Sequence, residues 1–172
     1  MLSEIEKLLA ELGPDIEREI ARVIPRSGVD NLHNAVWYHL DSGGKKLRPA
    51  LAILACKALG GDVKRAMPFA AACELLHNWF LVHDDVEDGD TFRRGRESVW
   101  KKFGLAHGIN VGDFMSEKVY ELAMQPGLEP AKTLQLVKEI ALTCSKTAEG
   151  QAMDINMRAA SPTEEEYMET AI

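Results

Sequence analysis

The stretch from Val63 to Asp88 constrains the fold more than any other part of the chain. It is apolar enough to be buried on most sides if helical, which makes it the expected central element of a helical core. It also ends in an acidic cluster, Asp84-Asp85-Val86-Glu87-Asp88, preceded by Leu75, Leu76, Trp79, Phe80, Leu81 and Val82. The rest of the sequence repeats the helical theme. Ile5, Leu8, Leu9, Leu12, Ile16, Ile20 and Val23 recur at three- and four-residue intervals and predict an amphipathic helix from Ser3 to Ile24, with Gly13-Pro14 as a possible kink. After a turn at Pro25–Gly28, helical spacing resumes over Asp30–Leu40 through Leu32, Val36 and Trp37.

An Ala/Leu-rich helix is predicted over Ala50–Leu59, with Pro49 in its first turn and Gly60-Gly61 ending it. Gly89–Gly95 breaks the pattern; Glu97–Phe103, Asn110–Met124 and Pro130–Glu149 read as further helices, and Gln125-Pro126-Gly127 as a turn. Ser161-Pro162 followed by Glu164-Glu165-Glu166 carries the marks of one more helix start. No alternating strand pattern is evident, so the expected class is all-α.

The chain has 172 residues, 27 acidic against 20 basic side chains and a formal charge of -7. A general attraction to nucleic acid or to an anionic membrane is therefore not expected, and any anion must be held locally. Three scattered cysteines, Cys56, Cys73 and Cys144, lack the spacing of a zinc site or a disulfide framework. They suit a reducing compartment, and a cytoplasmic location is the expectation. No run is apolar and long enough to suggest a membrane span, and the first residues do not resemble a signal peptide. The length fits a single domain.

Asp84 and Asp88 are four residues apart and share one helix face, with Asp85 beside them. Carboxylates so placed repel one another, and a hard divalent cation between them reverses the balance; magnesium suits two carboxylates completed by waters and substrate phosphates. A solvated acidic helix end is the alternative. An EF-hand loop fails, because Val86 or Gly89 would occupy a ligand position. Candidate partners for an anionic substrate are Lys45 and Arg48 beside a glycine pair at a helix start, the Arg93-Arg94 pair, and His77, two turns before Asp84. Taken singly, each also reads as an exposed cation or a structural histidine. A charged rim at an apolar cavity suits a ligand with an anionic head and a hydrocarbon tail.

Four motifs in order resemble those of the trans-isoprenyl diphosphate synthases: Gly44-Lys45-Lys46-Leu47-Arg48-Pro49, Glu74-Leu75-Leu76-His77, Asp84-Asp85-Val86-Glu87-Asp88 and Arg93-Arg94-Gly95. The likeness continues through Gly112-Asp113 and Gly150-Gln151-x-x-Asp154. The resemblance implies an isoprenoid synthase-type helical bundle around a central cavity, usually in a homodimer, that joins an allylic diphosphate to isopentenyl diphosphate with Mg2+. It implies that Asp84 and Asp88 ligate the metal with Asp85 in support, and that Lys45, Arg48, His77 and Arg94 bind isopentenyl diphosphate. Arg93 would contact the allylic diphosphate, with Gln151 and Asp154 near it. Trp79 and Phe80, just before the first aspartate motif, would form the floor of the tail pocket and limit the product to C10–C20, or else be plain core aromatics. The second aspartate motif of the family is absent from this sequence. Two expectations follow: the N-terminal part of a synthase that works with a complementing C-terminal half, or a non-catalytic diphosphate-binding or regulatory subunit. A terpene cyclase would share the aspartates but not explain Lys45, Arg48 and the arginine pair.

Overall fold

The computed structural model describes residues 4–125, 127–158, 163–165 and 168. Among these it contains seven helices and one minimal hairpin: α1 (Glu4–Val23), α2 (His33–Leu40), α3 (Leu47–Ala58), α4 (Val63–Glu87), β1 (Phe92–Arg93), β2 (Arg96–Glu97), α5 (Val99–Phe103), α6 (Leu105–Ala123) and α7 (Pro130–Met157). They form two compact units, one ending at Leu128 and the other beginning at Glu129.

In the first unit α4 is the hub, packed against α1, α3, α5, α6 and α2. Its start is capped by Asp62, whose side chain accepts a hydrogen bond from the Lys64 amide at 2.9 Å. Ala70, Ala71 and Ala72 are fully or almost fully buried and let neighbouring helices approach; Leu75 and Val82 are fully buried on the same element. Ile16 and Ile20 of α1, Ile53 of α3 and Val111, Met115, Val119 and Leu122 of α6 complete the apolar interior. Each such side chain stabilises the fold by roughly 1.5–3 kcal/mol through removal from water. α1 runs without interruption through Pro14, because the buried stripe Leu12, Ile16, Ile20 and Val23 holds both halves.

Gly89, at φ +70°, stops α4 immediately after its C-cap Asp88. The chain then makes a short hairpin, although no alternating apolar–polar pattern marks it in the sequence. Arg93 pairs with Arg96 across a two-residue turn, Arg94-Gly95, in which both φ angles are positive, +52° and +76°. Such a turn twists with the strands it joins. The segment is tied down by Asp90, whose carbonyl accepts from Ser98 Oγ at 2.7 Å and from Trp100 Nε1 at 2.8 Å.

The second unit consists chiefly of α7, which begins with Pro130 at its first turn and buries Ile140. Ser161, Pro162 and Glu166 of the expected further helix start lie outside the described residues, while Glu164 and Glu165 are helical.

Candidate active site

The last turn of α4 concentrates negative charge where the helix dipole is itself negative, and no basic residue offsets it there. Asp84 is half-buried; burial pushes its carboxyl above the ordinary carboxylate range, and the neighbouring Asp88, Glu87 and Asp90 push the same way. Arg93 of β1 opposes this charge. Its Nε donates to Asp85 Oδ1 at 2.5 Å, and its Nη2 lies 3.5 Å from Asp84 Oδ2 and 3.9 Å from Asp90 Oδ2.

Asp85 differs in kind from its neighbours. It is fully buried, and its Oδ2 has no hydrogen-bond partner. Burial raises its pKa, although Arg93 acts in the opposite sense. It continues the inward face of α4 that carries Leu75, Asn78 and Val82, whereas Asp88 is exposed.

Across the hairpin turn Arg94 reaches the loop before α3. Its Nη1 donates to the Gly43 carbonyl and lies 3.4 Å from Ser42 Oγ. The guanidinium rests against Gly44, where a Cβ would come 3.3 Å from both terminal nitrogens. Gly44 is thus a glycine for close approach. The next element begins abruptly because Lys46 adopts φ +50° and leaves α3 to start at Leu47. Arg48, in the first turn of α3, has no carboxylate partner among the described residues. His77 senses this gathering of cations: burial, then Arg48, Arg94 and Arg93, lower its pKa to about 4. Its ring is therefore neutral near pH 7 and retains one N–H to donate.

Three of the expected groups, Arg48, Arg93 and Arg94, thus act electrostatically on a fourth, His77, and Arg93 also reaches Asp84 and Asp85. Lys45 lines a cavity of about 600 Å³ together with Lys46, Leu9, Gly13, Pro14 and Glu17. Lys46 is ion-paired with Glu17. Trp79 stacks on Phe80 with ring centroids 4.7 Å apart and planes 14° from parallel. Gln151 and Asp154 lie within one turn on α7, in the second unit; Asp154 pairs with Arg158 at 3.0 Å.

Two features escaped the sequence reading. A buried polar chain runs from His39 Nε2 to Asn78 Oδ1 at 3.1 Å, and from Asn78 Nδ2 to Glu74 Oε1 at 3.1 Å. Glu74 also acts electrostatically on Arg94. The second is the hydrogen bond that Trp79 Nε1 donates to His83 Nδ1 at 3.3 Å. Neither has a local sequence signal, apart from the helical spacing of residues 74 and 78 and of 79 and 83.

The donor chemistry fits a hard divalent cation. Among the described residues no three His, Cys, Asp or Glu side chains converge into a closed metal site. An open pair, Asp84 and Asp88, on an over-acidic helix end is the arrangement expected of magnesium that draws its other ligands from water and phosphate.

The family model for polyprenyl synthetase matches residues 29–172. The chain belongs to that family. It is 37% identical over 155 residues to a geranylgeranyl diphosphate synthase of Methanosarcina mazei, covering 90% of this chain and 48% of that one. It is 35% identical over 170 residues to a geranylgeranyl pyrophosphate synthase of Geoglobus acetivorans, covering 98% and 52%. Among solved structures, the Geoglobus acetivorans synthetase superposes with a TM-score of 0.89 at 33% identity over 97% of this chain and 54% of that one. A geranylgeranyl pyrophosphate synthetase of Pyrococcus horikoshii gives 0.90 at 34% identity, over 96% and 52%. The fold is that of the isoprenoid synthases, as the motifs implied, and the chain spans about half the length of these relatives. Among the described residues, no helix is long and apolar enough to cross a membrane.

Proposed function

We propose that this family member supplies the first aspartate site and the isopentenyl diphosphate site of a trans-prenyltransferase, which condenses an allylic diphosphate with isopentenyl diphosphate to a short-chain C10–C20 product in concert with a complementing C-terminal half. The observation that carries this reading is the division of labour across the hairpin turn. Arg93 faces the carboxylates of α4, while Arg94 faces the glycine loop before α3.

Asp84 and Asp88 would hold Mg2+, whose contribution when bound is to neutralise charge developing on the departing diphosphate. Arg93, already oriented by Asp85, donates hydrogen bonds to the same leaving group. Arg48, Arg94, the neutral His77 and Lys45 grip the second diphosphate and orient its double bond toward the allylic carbon. Loss of a proton from the condensed cation restores the alkene; the departed diphosphate accepts it, so no side-chain base is required. Trp79 and Phe80 close the tail pocket.

The test is turnover with isopentenyl and dimethylallyl diphosphates in magnesium, with and without a second chain bearing the other aspartate motif. Product on complementation supports the proposal. Magnesium-dependent diphosphate binding with no product under either condition favours a non-catalytic subunit, and absence of such binding refutes the site.

A further inference from the structure

His83, the residue before the aspartate motif, is held from two sides. Its Nδ1 accepts from Trp79 Nε1–H at 3.3 Å, one helical turn earlier on α4. An imidazole nitrogen that accepts carries no proton, so the ring hydrogen is assigned to Nε2. Nε2 lies 3.2 Å from the Ile109 carbonyl and 3.5 Å from Asp113 Oδ1, both on α6. The ring enters a notch in α6 that exists only because residue 112 is glycine: a Cβ there would collide with three atoms of the imidazole. One turn away, Gly108 makes a similar close approach, with Val86 Cγ2 3.3 Å from where its Cβ would be. Beyond His83, the Trp79 indole continues into its stack with Phe80.

We propose that His83 is a positioning residue that fixes the Trp79–Phe80 pair by keying it to α6, so that the length limit of the tail pocket is set by the docking of α4 on Gly112 as well as by the two aromatic rings. The length part rests on the reading of Trp79 and Phe80 as the pocket floor. The keying does not. An indole free to change rotamer would present a deeper or shallower floor, and the hydrogen bond to Nδ1 removes that freedom.

The keying is tested on the chain itself by amide and indole hydrogen exchange in ¹⁵N-labelled protein. The three indole N–H groups have separate acceptors: Ile24 O for Trp37, His83 Nδ1 for Trp79 and Asp90 O for Trp100. A Trp79→Phe variant assigns the resonance. In His83→Ala the Trp79 indole N–H should exchange about fivefold faster, the factor that corresponds to a net hydrogen bond of about 1 kcal/mol. Trp37 and Trp100 should be unchanged, and His83→Gln, which restores an acceptor, should recover part of the protection. Gly112→Ala should release the same resonance with His83 intact; the double variant His83→Ala/Gly112→Ala removes the collision if the single one fails to fold. Unchanged Trp79 exchange in His83→Ala overturns the proposal. In the complemented enzyme, Trp79→Ala and His83→Ala should both lengthen the product. No lengthening in Trp79→Ala overturns the floor reading and the length claim with it. Lengthening in Trp79→Ala but not in His83→Ala overturns the length claim alone.

Discussion

The pairing of Arg93 with Asp85 should respond asymmetrically to loss of either partner. Asp85 is fully buried with one oxygen unpartnered, whereas the Arg93 side chain retains 22% exposure and two further carboxylates, Asp84 and Asp90, within 4 Å. Replacement of Arg93 by Leu strands a buried carboxylate, a loss of about 3–5 kcal/mol by analogy with broken buried pairs. Protonation of Asp85 limits that penalty: from an ordinary carboxylate value of about 3.9, it costs about 4 kcal/mol at pH 7 but only about 1.5 kcal/mol at pH 5. In Arg93→Leu the folded pKa of Asp85 lies above the unfolded one, so the folded state binds more protons and stability falls as pH rises through that window. The variant should therefore lose about 3–4 kcal/mol at pH 7 and about 2 kcal/mol less than that at pH 5. Asp85→Asn forfeits a charge-assisted hydrogen bond but also removes an incompletely satisfied buried charge, leaving Arg93 to its other partners. Its cost should be about 1 kcal/mol with little pH dependence. The double variant should match Asp85→Asn. Urea unfolding followed by circular dichroism at both pH values, with unchanged slopes, measures all of this. Equal losses for the two single variants, or a greater loss for Asp85→Asn, would refute the reasoning.

His39, buried and lowered to about 4 chiefly by desolvation, binds fewer protons folded than unfolded between that value and its ordinary 6.5. Stability should decline by up to about 3 kcal/mol as pH falls from 6.5 to 4, and His39→Gln should flatten this part of the stability–pH curve in calorimetry. Asp84→Ala or Asp88→Ala should abolish magnesium-dependent binding of an allylic diphosphate in titration calorimetry, and an unchanged affinity would count against the site. Arg94→Ala should raise the KM for isopentenyl diphosphate in the complemented enzyme by about tenfold or more, the scale of one charge-assisted hydrogen bond, and affect the allylic partner less. Equal effects on both would remove the division of labour across the turn.

Most of the helical order follows from periodicity, because burial of one face at intervals of three and four residues is a property of the chain itself. The boundaries shift where a glycine serves packing rather than termination. α6 begins at Leu105 rather than Asn110, since Gly108 lies against Trp100 and Val86 inside the helix, and α7 continues past Gly150 to Met157. The hairpin was illegible because two-residue strands have no period, and an arginine occupies the first left-handed position of its turn, where asparagine would signal it. Within the site, the order of the acids and arginines was readable, but the inward turn of Asp85 required α4 to be phased against its buried residues Leu75, Asn78 and Val82. The link from His39 to Asn78 spans 39 positions and has no local trace.

The segment from Gly89 to Gly95 acts as a ruler. Fixed at one end by the stop of α4 and at the other by the left-handed turn, it assigns adjacent guanidinium groups to different clients, one among the acids and one at the glycine loop. Insertion or deletion of a single residue along it would send each arginine to the other's destination or to neither. The spacing between the acidic motif and the arginine pair is therefore less tolerant of change in length than of change in composition.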